Sequence, residues 1–391
     1  MKSILFLLTR YPAVSGGIEK VTTYISNNLI DRGLKITILA AYKQNGIDVS
    51  TIGLNESIST FLLPDDRTFD SEKNSQFVDS LIKERGIELI ILQDSYSGVH
   101  RLLSHLENAP KIIVAEHNIP TALLVDKVAE FKEEKILDVR SFIRKICFPL
   151  LYIKNLIQIK KHHRDVYDLA DKYVVLSSGY KPIVEKLIGH KDSINKITTI
   201  HNPITVNYDM PISCNKSKEC LFVGRLNSQK GVDFLLDIWK LFSVKHNDWV
   251  LRILGDGPLD SKIKQRILKE KIINVILEGR QTDVTFFYAK ASILCMTSRF
   301  EGWPLVLGEG MKFGCVPIAF NSFAAVKDII EDEKNGFIIP AYDIEKYACR
   351  LSQLADNLNV LSTMKKSSLI KVKEFEITHI IDEWVNLFEN I

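Results

Sequence analysis

Short strand-like runs with apolar cores alternate with helical stretches twice along this chain, and that alternation is the strongest constraint on what it can fold into. The first set of runs covers residues 4–8, 35–39, 88–93, 111–115, 174–176 and 199–200. The second covers residues 220–223, 250–254, 275–277, 293–296, 316–319 and 336–339. Runs this short and this apolar are strands buried on both faces, and helices between them make parallel β-α-β units. Two such sets in 391 residues predict two α/β domains, each large enough for its own core. The polar stretch 206–218 separates them as a linker, leaving 1–205 before it and 219–375 after it. Residues 17–32 read as the first helix, residues 43–80 as weak strands and loops, and residues 376–388 as an amphipathic tail.

Composition removes several function classes. A hydrophobic content of 46% excludes a disordered chain, and a formal net charge of +3 is too small for a nucleic-acid binder. Six cysteines are scattered without a metal spacing, which suits reduced thiols in a cytosol. The opening MKSILFLLTRYP has an apolar core that ends at Arg10, too short for an export signal, and reads as a first strand. No stretch reaches the roughly 20 apolar residues that span a bilayer.

Open parallel sheets bind ligands beyond the carboxyl ends of their strands, so the residues after each strand are the candidates. In the first set they are Asp94, Ser95 and Tyr96, then Glu116, His117 and Asn118, then Ser177 and Ser178, and His201 and Asn202. Gly16 and Gly17 precede the first helix; Arg10, Tyr11 and Pro12 intervene, so this is no dinucleotide fingerprint, yet the pair can bring backbone amides close to a phosphate. In the second set Gly224 and Arg225 follow a strand and Lys230 opens the next helix, two cations suited to a diphosphate. Gly255 and Arg280 end the next two strands and read as turns or as walls for a nucleotide base.

Residues 300–314, FEGWPLVLGEGMKFG, concentrate this chemistry. Pro304 suits the first turn of a helix and Gly314 its stop. Glu309 then sits roughly 7 Å along the axis from Pro304, with Glu301 just before the helix. The two carboxylates can grip opposite ends of one ligand, with helix amides between them facing an anion. Gly308 and Gly310 each cost about 1 kcal/mol in a helix interior, which predicts close approach of a ligand or another backbone.

Glu301 and Glu309 with seven residues between them, followed by VPIA at 316–319, resemble the donor-site signature of the retaining glycosyltransferases of family 4, the "group 1" family with the GT-B fold. LFVGRLNSQKG at 221–231, LRILGDGPL at 251–259, GGIEKV at 16–21 and AEHN at 115–118 extend the resemblance over essentially the whole chain. It implies an α/β GT-B architecture: two facing Rossmann-like domains with parallel sheets and an inter-domain cleft, the helix 376–391 completing the first. It also implies transfer of a hexose or N-acetylhexosamine from a UDP-sugar or GDP-sugar, with retention and without a metal or other cofactor. The acceptor would be a saccharide or polyprenyl-linked saccharide in cell-surface polysaccharide (lipopolysaccharide or capsule) biosynthesis. Arg225 and Lys230 would neutralise the diphosphate, Glu309 would bind the ribose, Glu301 the transferred sugar, and His117 would position the sugar ring. Gly16, Gly17, Gly224, Gly255, Arg280, Gly302, Trp303, Pro304 and Leu305 would complete the donor site, with Asp94, Tyr96 and Asn118 on the acceptor side. Gly308-Glu309-Gly310 stands where many relatives carry Leu-Glu-Ala. A sugar-nucleotide 2-epimerase of the same fold and a non-catalytic membrane-docked partner protein are the competing readings.

Residues 120–170 interrupt the strand rhythm. Between Arg140 and Arg164 there are seven basic residues and no acidic one, interleaved with apolar side chains, and Pro149 should break or kink the stretch into two helical pieces. A basic amphipathic segment reads either as a membrane-surface element, with Arg144, Lys145, Lys154, Lys160 and Lys161 facing anionic lipid, or as an ordinary packed helix. The expected location is the cytoplasm, peripheral on the inner face of the plasma membrane.

Overall fold

The structure, a computed structural model, describes residues 2–12, 16–43, 53–96, 98–106, 109–133, 139–206 and 216–391; the side chains of 126–127, 129–130, 132–133 and 139–146 lie outside that description. The chain divides into two compact units, residues 1–205 with 377–391 and residues 206–376.

In the first unit the strands are β1 (Ser3–Arg10), β2 (Lys35–Tyr42), β3 (Ser59–Leu62), β4 (Leu89–Leu92), β5 (Lys111–Glu116), β6 (Lys172–Val175) and β7 (Ile197–Thr199). The helices are α1 (Gly17–Asp31), α2 (Glu72–Arg85), α3 (His100–Leu103), α4 (Ala122–Glu133), α5 (Val139–Leu169) and α6 (Lys181–Ile188). Among the described residues the strands form one parallel sheet in the order β3-β2-β1-β4-β5-β6-β7. The central strands are buried throughout, Ile4 to Leu7 and Ile90 to Leu92 at 0% exposure, as their unbroken apolar sequence requires.

The second unit holds β8 (Ser217–Val223), β9 (Val250–Leu254), β10 (Val275–Gly279), β11 (Ala291–Met296), β12 (Val316–Asn321) and β13 (Phe337–Pro340), parallel in the order β10-β9-β8-β11-β12-β13. Its helices are α7 (Val232–Ser243), α8 (Asp260–Lys269), α9 (Thr285–Lys290), α10 (Leu305–Lys312), α11 (Val326–Ile329), α12 (Ile344–Asp356) and α13 (Leu358–Lys371). Trp239, Phe242 and Trp249 fill the core on one side of this sheet, and α12 packs there through Tyr347 and Leu351. The last helix, α14 (Ile377–Glu389), belongs to the first unit: it packs on α1, Arg32 pairs with Asp382 at 2.5 Å, and Lys2 donates to the Phe388 carbonyl.

Two sequence expectations fail here. Residues 43–80 are not all weak strand and loop, because β3 and most of α2 lie within them. Helix α2 buries only Asn74, Val78 and Leu81, so its apolar stripe is too thin to show in periodicity; what fixes it is a Ser71 cap and the Asn74 amide, which donates to the carbonyls of Asp65, Thr68 and Phe69. Pro149 does not divide its segment, since α5 runs through it. Proline removes one hydrogen bond from a long helix, and the packing of Ile159, His163 and Val166 holds the carboxyl-terminal half.

In both sheets the strand order reverses in the middle, between β1 and β4 and between β8 and β11, and this opens a crevice at the carboxyl ends. In the second unit glycine makes the crevice wall close. Gly255 has φ +133°, and a Cβ there would stand 1.9 Å from the Gly224 carbonyl oxygen. Its amide donates to Gly279, and the Gly224 amide donates to Leu254, so the ends of three adjacent strands are drawn together. Gly17, by contrast, has nothing within 4 Å of a built Cβ. Gly255→Ala is therefore expected to destabilise the second unit by about 1–3 kcal/mol, whereas Gly17→Ala is neutral or stabilising by up to about 1 kcal/mol. Thermal midpoints of the two variants check this; equal midpoints would contradict the strand-end packing.

Candidate functional site

The richest chemistry in the second unit lies where β8 and β11 end side by side. After β8 the chain passes Gly224 and Arg225 and makes a single 3-10 turn, Ser228–Lys230, closed by the Asn227 side chain accepting from the Lys230 amide. Gly231, at φ +63°, then turns into α7; a Cβ there would meet the Thr297 carbonyl oxygen at 2.1 Å. After β11, Thr297, Ser298 and Glu301 are all buried. The two loops are laced together: the Arg299 amide donates to Gln229 at 2.7 Å, Thr297 Oγ1 to the Lys230 carbonyl at 3.2 Å, and the Arg299 guanidinium pairs with Asp233 at 2.7 Å.

This lacing brings Lys230 and Glu301 into contact. Lys230 Nζ stands 2.5 Å from Glu301 Oε1, which also accepts from Ser298 Oγ at 2.7 Å. The side chains are 19% and 9% exposed, so the pair is mostly withdrawn from water. The sequence gives the two residues separate roles; the structure makes them a single charge-compensated unit. Ser298 was missed, although its position two residues past a buried strand is the same signal that singled out Ser177 and Ser178. Arg225 and Arg280 are exposed at the ends of β8 and β10, and no ion pair engages either among the described residues.

Pro304 is the N-cap of α10 rather than its first turn, and Gly314 follows the helix at φ +76°. Glu309 is buried at 4% exposure and accepts from Tyr288 Oη at 3.1 Å. Burial, and then the Glu309 charge, push the Tyr288 phenol well above its ordinary value, so it stays a donor. At Gly310 the expected ligand or backbone is replaced by a core side chain: a Cβ would lie 2.7 Å from Leu294 Cδ2. Gly302 and Trp303 are buried, Trp303 edge-on to Phe375 with centroids 5.2 Å apart, and Leu305 is half-buried.

In the first unit the corresponding crevice gathers the residues after β1, β4 and β5. His117 Nε2 donates to Gln93 Oε1, while His117 Nδ1 and Gln93 Nε2 are buried and make no hydrogen bond. Burial holds the His117 imidazole down at about 4, so it is neutral and Nδ1 offers a lone pair. An idle acceptor and an idle donor on bonded side chains match a hydroxyl, which is both. Gln93 was passed over because it closes an apolar run. Asp94 accepts from Thr9 Oγ1 at 2.7 Å and from the Tyr96 amide at 3.2 Å, tying β1 to β4. Asn118 is exposed. The Tyr96 hydroxyl is held internally, 2.8 Å from the Pro120 carbonyl and 2.9 Å from His163 Nε2, which leaves only its ring to face a ligand.

The glycine pair differs from its expected use. Gly16 caps α1, and a Cβ there would collide with the Glu19 carboxylate at 1.7 Å. Glu19 is buried and pairs with Arg10 at 2.9 Å, so the chain's own anion sits at the helix start where a phosphate was expected.

Helix α5 carries Lys154 and Lys161 exposed and Lys160 half-buried, beside Leu150 (71% exposed), Ile153 (53%) and Ile157 (61%). Phe148 is half-buried and stacked on Phe131 with centroids 3.8 Å apart. The side chains of Arg144 and Lys145 fall outside the described residues. Among the described residues no helix is long and apolar enough to cross a membrane, and no group of three His, Cys, Asp or Glu side chains could hold a metal ion.

Behind Tyr96, the Glu116 carboxyl accepts from Ser95 Oγ at 3.0 Å and Tyr173 Oη at 3.3 Å, and burial raises it to about 8. The folded unit thus holds a proton between the ordinary carboxylate range and about pH 8 that the unfolded chain has lost, and stability falls as pH rises through that window. His162, at about 3, and His163, at about 4, are depressed first by burial, so their contribution is full above the ordinary histidine value and is lost as pH falls toward 4. Glu116→Gln should flatten the alkaline loss, gaining on wild type by about 2–3 kcal/mol at about pH 9 relative to about pH 6. Thermal midpoints at the two pH values measure it; parallel shifts would mean that Glu116 is ionised in the fold.

Three comparisons place the chain among known proteins. Residues 212–368 match the family model "Glycosyl transferases group 1". An uncharacterised glycosyltransferase of Haemophilus influenzae is 34% identical over 218 residues, 55% of this chain and 60% of that protein. The GalNAc-alpha-(1->4)-GalNAc-alpha-(1->3)-diNAcBac-PP-undecaprenol alpha-1,4-N-acetyl-D-galactosaminyltransferase of Campylobacter jejuni is 28% identical over 58% of this chain and 62% of its own length. The matches thus span about three-fifths of these relatives. In structure, a TarM mutant from S. aureus, solved with Fondaparinux, alpha-GlcNAc-glycerol and UDP, superposes with a TM-score of 0.74 at 13% identity, over 99% of this chain and 100% of that one. At that identity the likeness shows the fold, which is of the GT-B type.

Proposed function

We propose, from the match of residues 212–368 to the family model of the group 1 glycosyl transferases, that this chain is a retaining, metal-independent hexosyltransferase. It moves a hexose or N-acetylhexosamine from a UDP-sugar or GDP-sugar to a saccharide or lipid-linked saccharide during cell-surface polysaccharide biosynthesis. The observation that carries the reading is the Lys230–Glu301 pair at the point where β8 and β11 diverge. A cation that already holds a carboxylate can exchange part of that contact for a diphosphate, and the carboxylate then turns to sugar hydroxyls. The Campylobacter relative acts, by its name, on a PP-undecaprenol-linked saccharide and the TarM crystals contained UDP; both favour a nucleotide-sugar donor and a lipid-linked acceptor here.

In the reaction the anomeric C–O bond to the diphosphate breaks and the nucleoside diphosphate leaves with the electron pair. The acceptor hydroxyl attacks from the same face, and its proton passes to the departing phosphate oxygen. Arg225 and Lys230 stabilise the charge that develops there, commonly the largest catalytic contribution. Glu309, which accepts from Tyr288 Oη, takes the ribose hydroxyls, and the Gln93–His117 pair offers its idle donor and acceptor to a ligand hydroxyl.

Arg225→Ala or Lys230→Ala is expected to lower transfer roughly 10- to 150-fold, the worth of one charge-assisted hydrogen bond. Glu309→Gln should weaken binding of UDP or GDP, while Glu301→Gln, which releases Lys230, should leave nucleotide affinity intact or raised and still lower transfer. Calorimetry with both nucleotides separates these outcomes; equal loss of affinity in the two variants would reverse or remove the assignment.

We also propose that α5 docks the enzyme, from the cytoplasm, on an anionic membrane. Basic residues near such a surface contribute about 1 kcal/mol each, and Leu150, Ile153 and Ile157 add exposed apolar area. Replacing Lys154, Lys160 and Lys161 with Gln should weaken binding to phosphatidylglycerol liposomes roughly 100-fold, and salt should weaken wild type likewise. Wild type remaining in the supernatant at low salt after sedimentation would refute docking.

A further inference from the structure

The first unit contains a pocket of about 570 Å³ that the donor chemistry does not use, walled by α5 and by Tyr96, Gly98, His100 and Arg101, with Leu123 of α4 also lining it. We propose that this pocket binds a pyranose ring of the saccharide acceptor, an inference that rests on the transferase reading above and adds to it the site and its residues.

The pocket has two kinds of wall, and each matches one aspect of a sugar. One wall is aromatic and uncharged. The rings of Tyr96 and His162 are stacked, centroids 4.7 Å apart at 28°, and His100 meets His162 edge-on at 4.9 Å. Burial, followed by the neighbouring His163 and His100, holds His162 at about 3, so the imidazole carries no charge at neutral pH, and with Tyr96 it gives the pocket an uncharged aromatic lining for the C–H side of a ring. The other wall is a polar stripe on α5. Asn155, Gln158, His162 and Asp165 follow one another at spacings of three, four and three residues, which places them on one helix face. A carboxamide both donates and accepts, as a hydroxyl does, so Asn155 and Gln158 can each hold a sugar hydroxyl, and Asp165 accepts from another.

The charges argue against a phosphate. Arg101 lines the pocket but pairs with Asp70 at 3.3 Å, and Asp165 faces the same space as Lys161. Among the described lining residues an anion would meet Lys161 and Arg101 together with the Asp165 carboxylate, whereas a neutral polyhydroxylated ring needs no net charge. A volume of this size lies within the range of pockets that enclose small ligands, about 300–1,000 Å³. The site also lies past the carboxyl end of β4, on the side where an open parallel sheet takes its ligands.

The test uses the full chain and two readouts. Saturation-transfer difference NMR is run with methyl glycosides of glucose, galactose, N-acetylglucosamine and N-acetylgalactosamine at millimolar concentration, with inorganic phosphate as competitor. Calorimetry with UDP and GDP is run on the same samples. At least one glycoside should be saturated by wild type, phosphate should not displace it, and Asn155→Ala combined with Gln158→Ala should abolish the signal. Both positions lie on the surface of α5, and an unchanged thermal midpoint confirms that the variant folds. Nucleotide binding should be the same in the two proteins. If wild type binds UDP or GDP but saturates no glycoside, or if the double variant saturates them equally, the pocket assignment falls while the transferase reading stands. If phosphate displaces the glycoside, the pocket is an anion site and the inference is overturned. If neither nucleotide binds, the transferase reading itself fails.

Discussion

The Lys230–Glu301 contact is the interaction on which the second unit's site depends. It exists because two strands remote in sequence, β8 and β11, end as neighbours at the reversal of the strand order. Gly231 lets the two loops approach: a side chain there would meet the Thr297 carbonyl, and the lacing of Arg299 to Gln229, Ser228 and Asp233 would be pushed apart. Mostly buried ion pairs contribute little net stability, because desolvation offsets attraction, yet removing one partner is expensive. The two ends are not equivalent. Glu301 is the more buried, so losing Lys230 removes the countercharge from a carboxylate with little access to water, whereas losing Glu301 leaves an ammonium with more access to water. A kinetic defect on removing Lys230 therefore mixes lost charge with a disturbed loop, and the Glu301→Gln experiment is the cleaner probe of the same pair.

Where the sequence was legible, it was so for physical reasons. Strands buried on both faces must be apolar throughout, so runs such as 90–92 and 293–296 declared themselves, and residues beyond strand ends followed as candidates. The Glu301 and Glu309 pair was visible because one glutamate precedes a helix start and the other lies one turn inside it. What stayed hidden was partnership. No local pattern reveals that Glu301 is held by Lys230, that Tyr288 donates to Glu309, or that Gln93 anchors His117, because each partner comes from a different element of the fold. Gly310 shows the converse. A glycine beside a functional glutamate invited a ligand explanation, and the space proves to be filled by Leu294 of β11. Glu19 was overlooked for a similar reason: within GGIEKV the glycines drew the inference, while the carboxylate two residues on takes the helix start.

Helix α5 was read from sequence as either a membrane element or a packing element, and its geometry makes those compatible. At about 100° per residue, its second half presents three faces. Ile159, His163 and Val166 form the buried one, with His163 held between the Pro120 carbonyl and Tyr173. Asn155, Gln158, His162 and Asp165 run along one flank and line the pocket. Leu150, Ile153 and Ile157 point away from the core, with Lys154 and Lys161 near them. The pocket flank and the outward face are adjacent, and Lys161 borders both. A saccharide held on the flank therefore lies beside the apolar, basic surface that faces outward, within about one helix radius of it. An acceptor with a sugar head and a lipid anchor needs those two environments side by side, and a single helix can supply them only if its polar stripe and its apolar stripe are offset around the axis, as they are here.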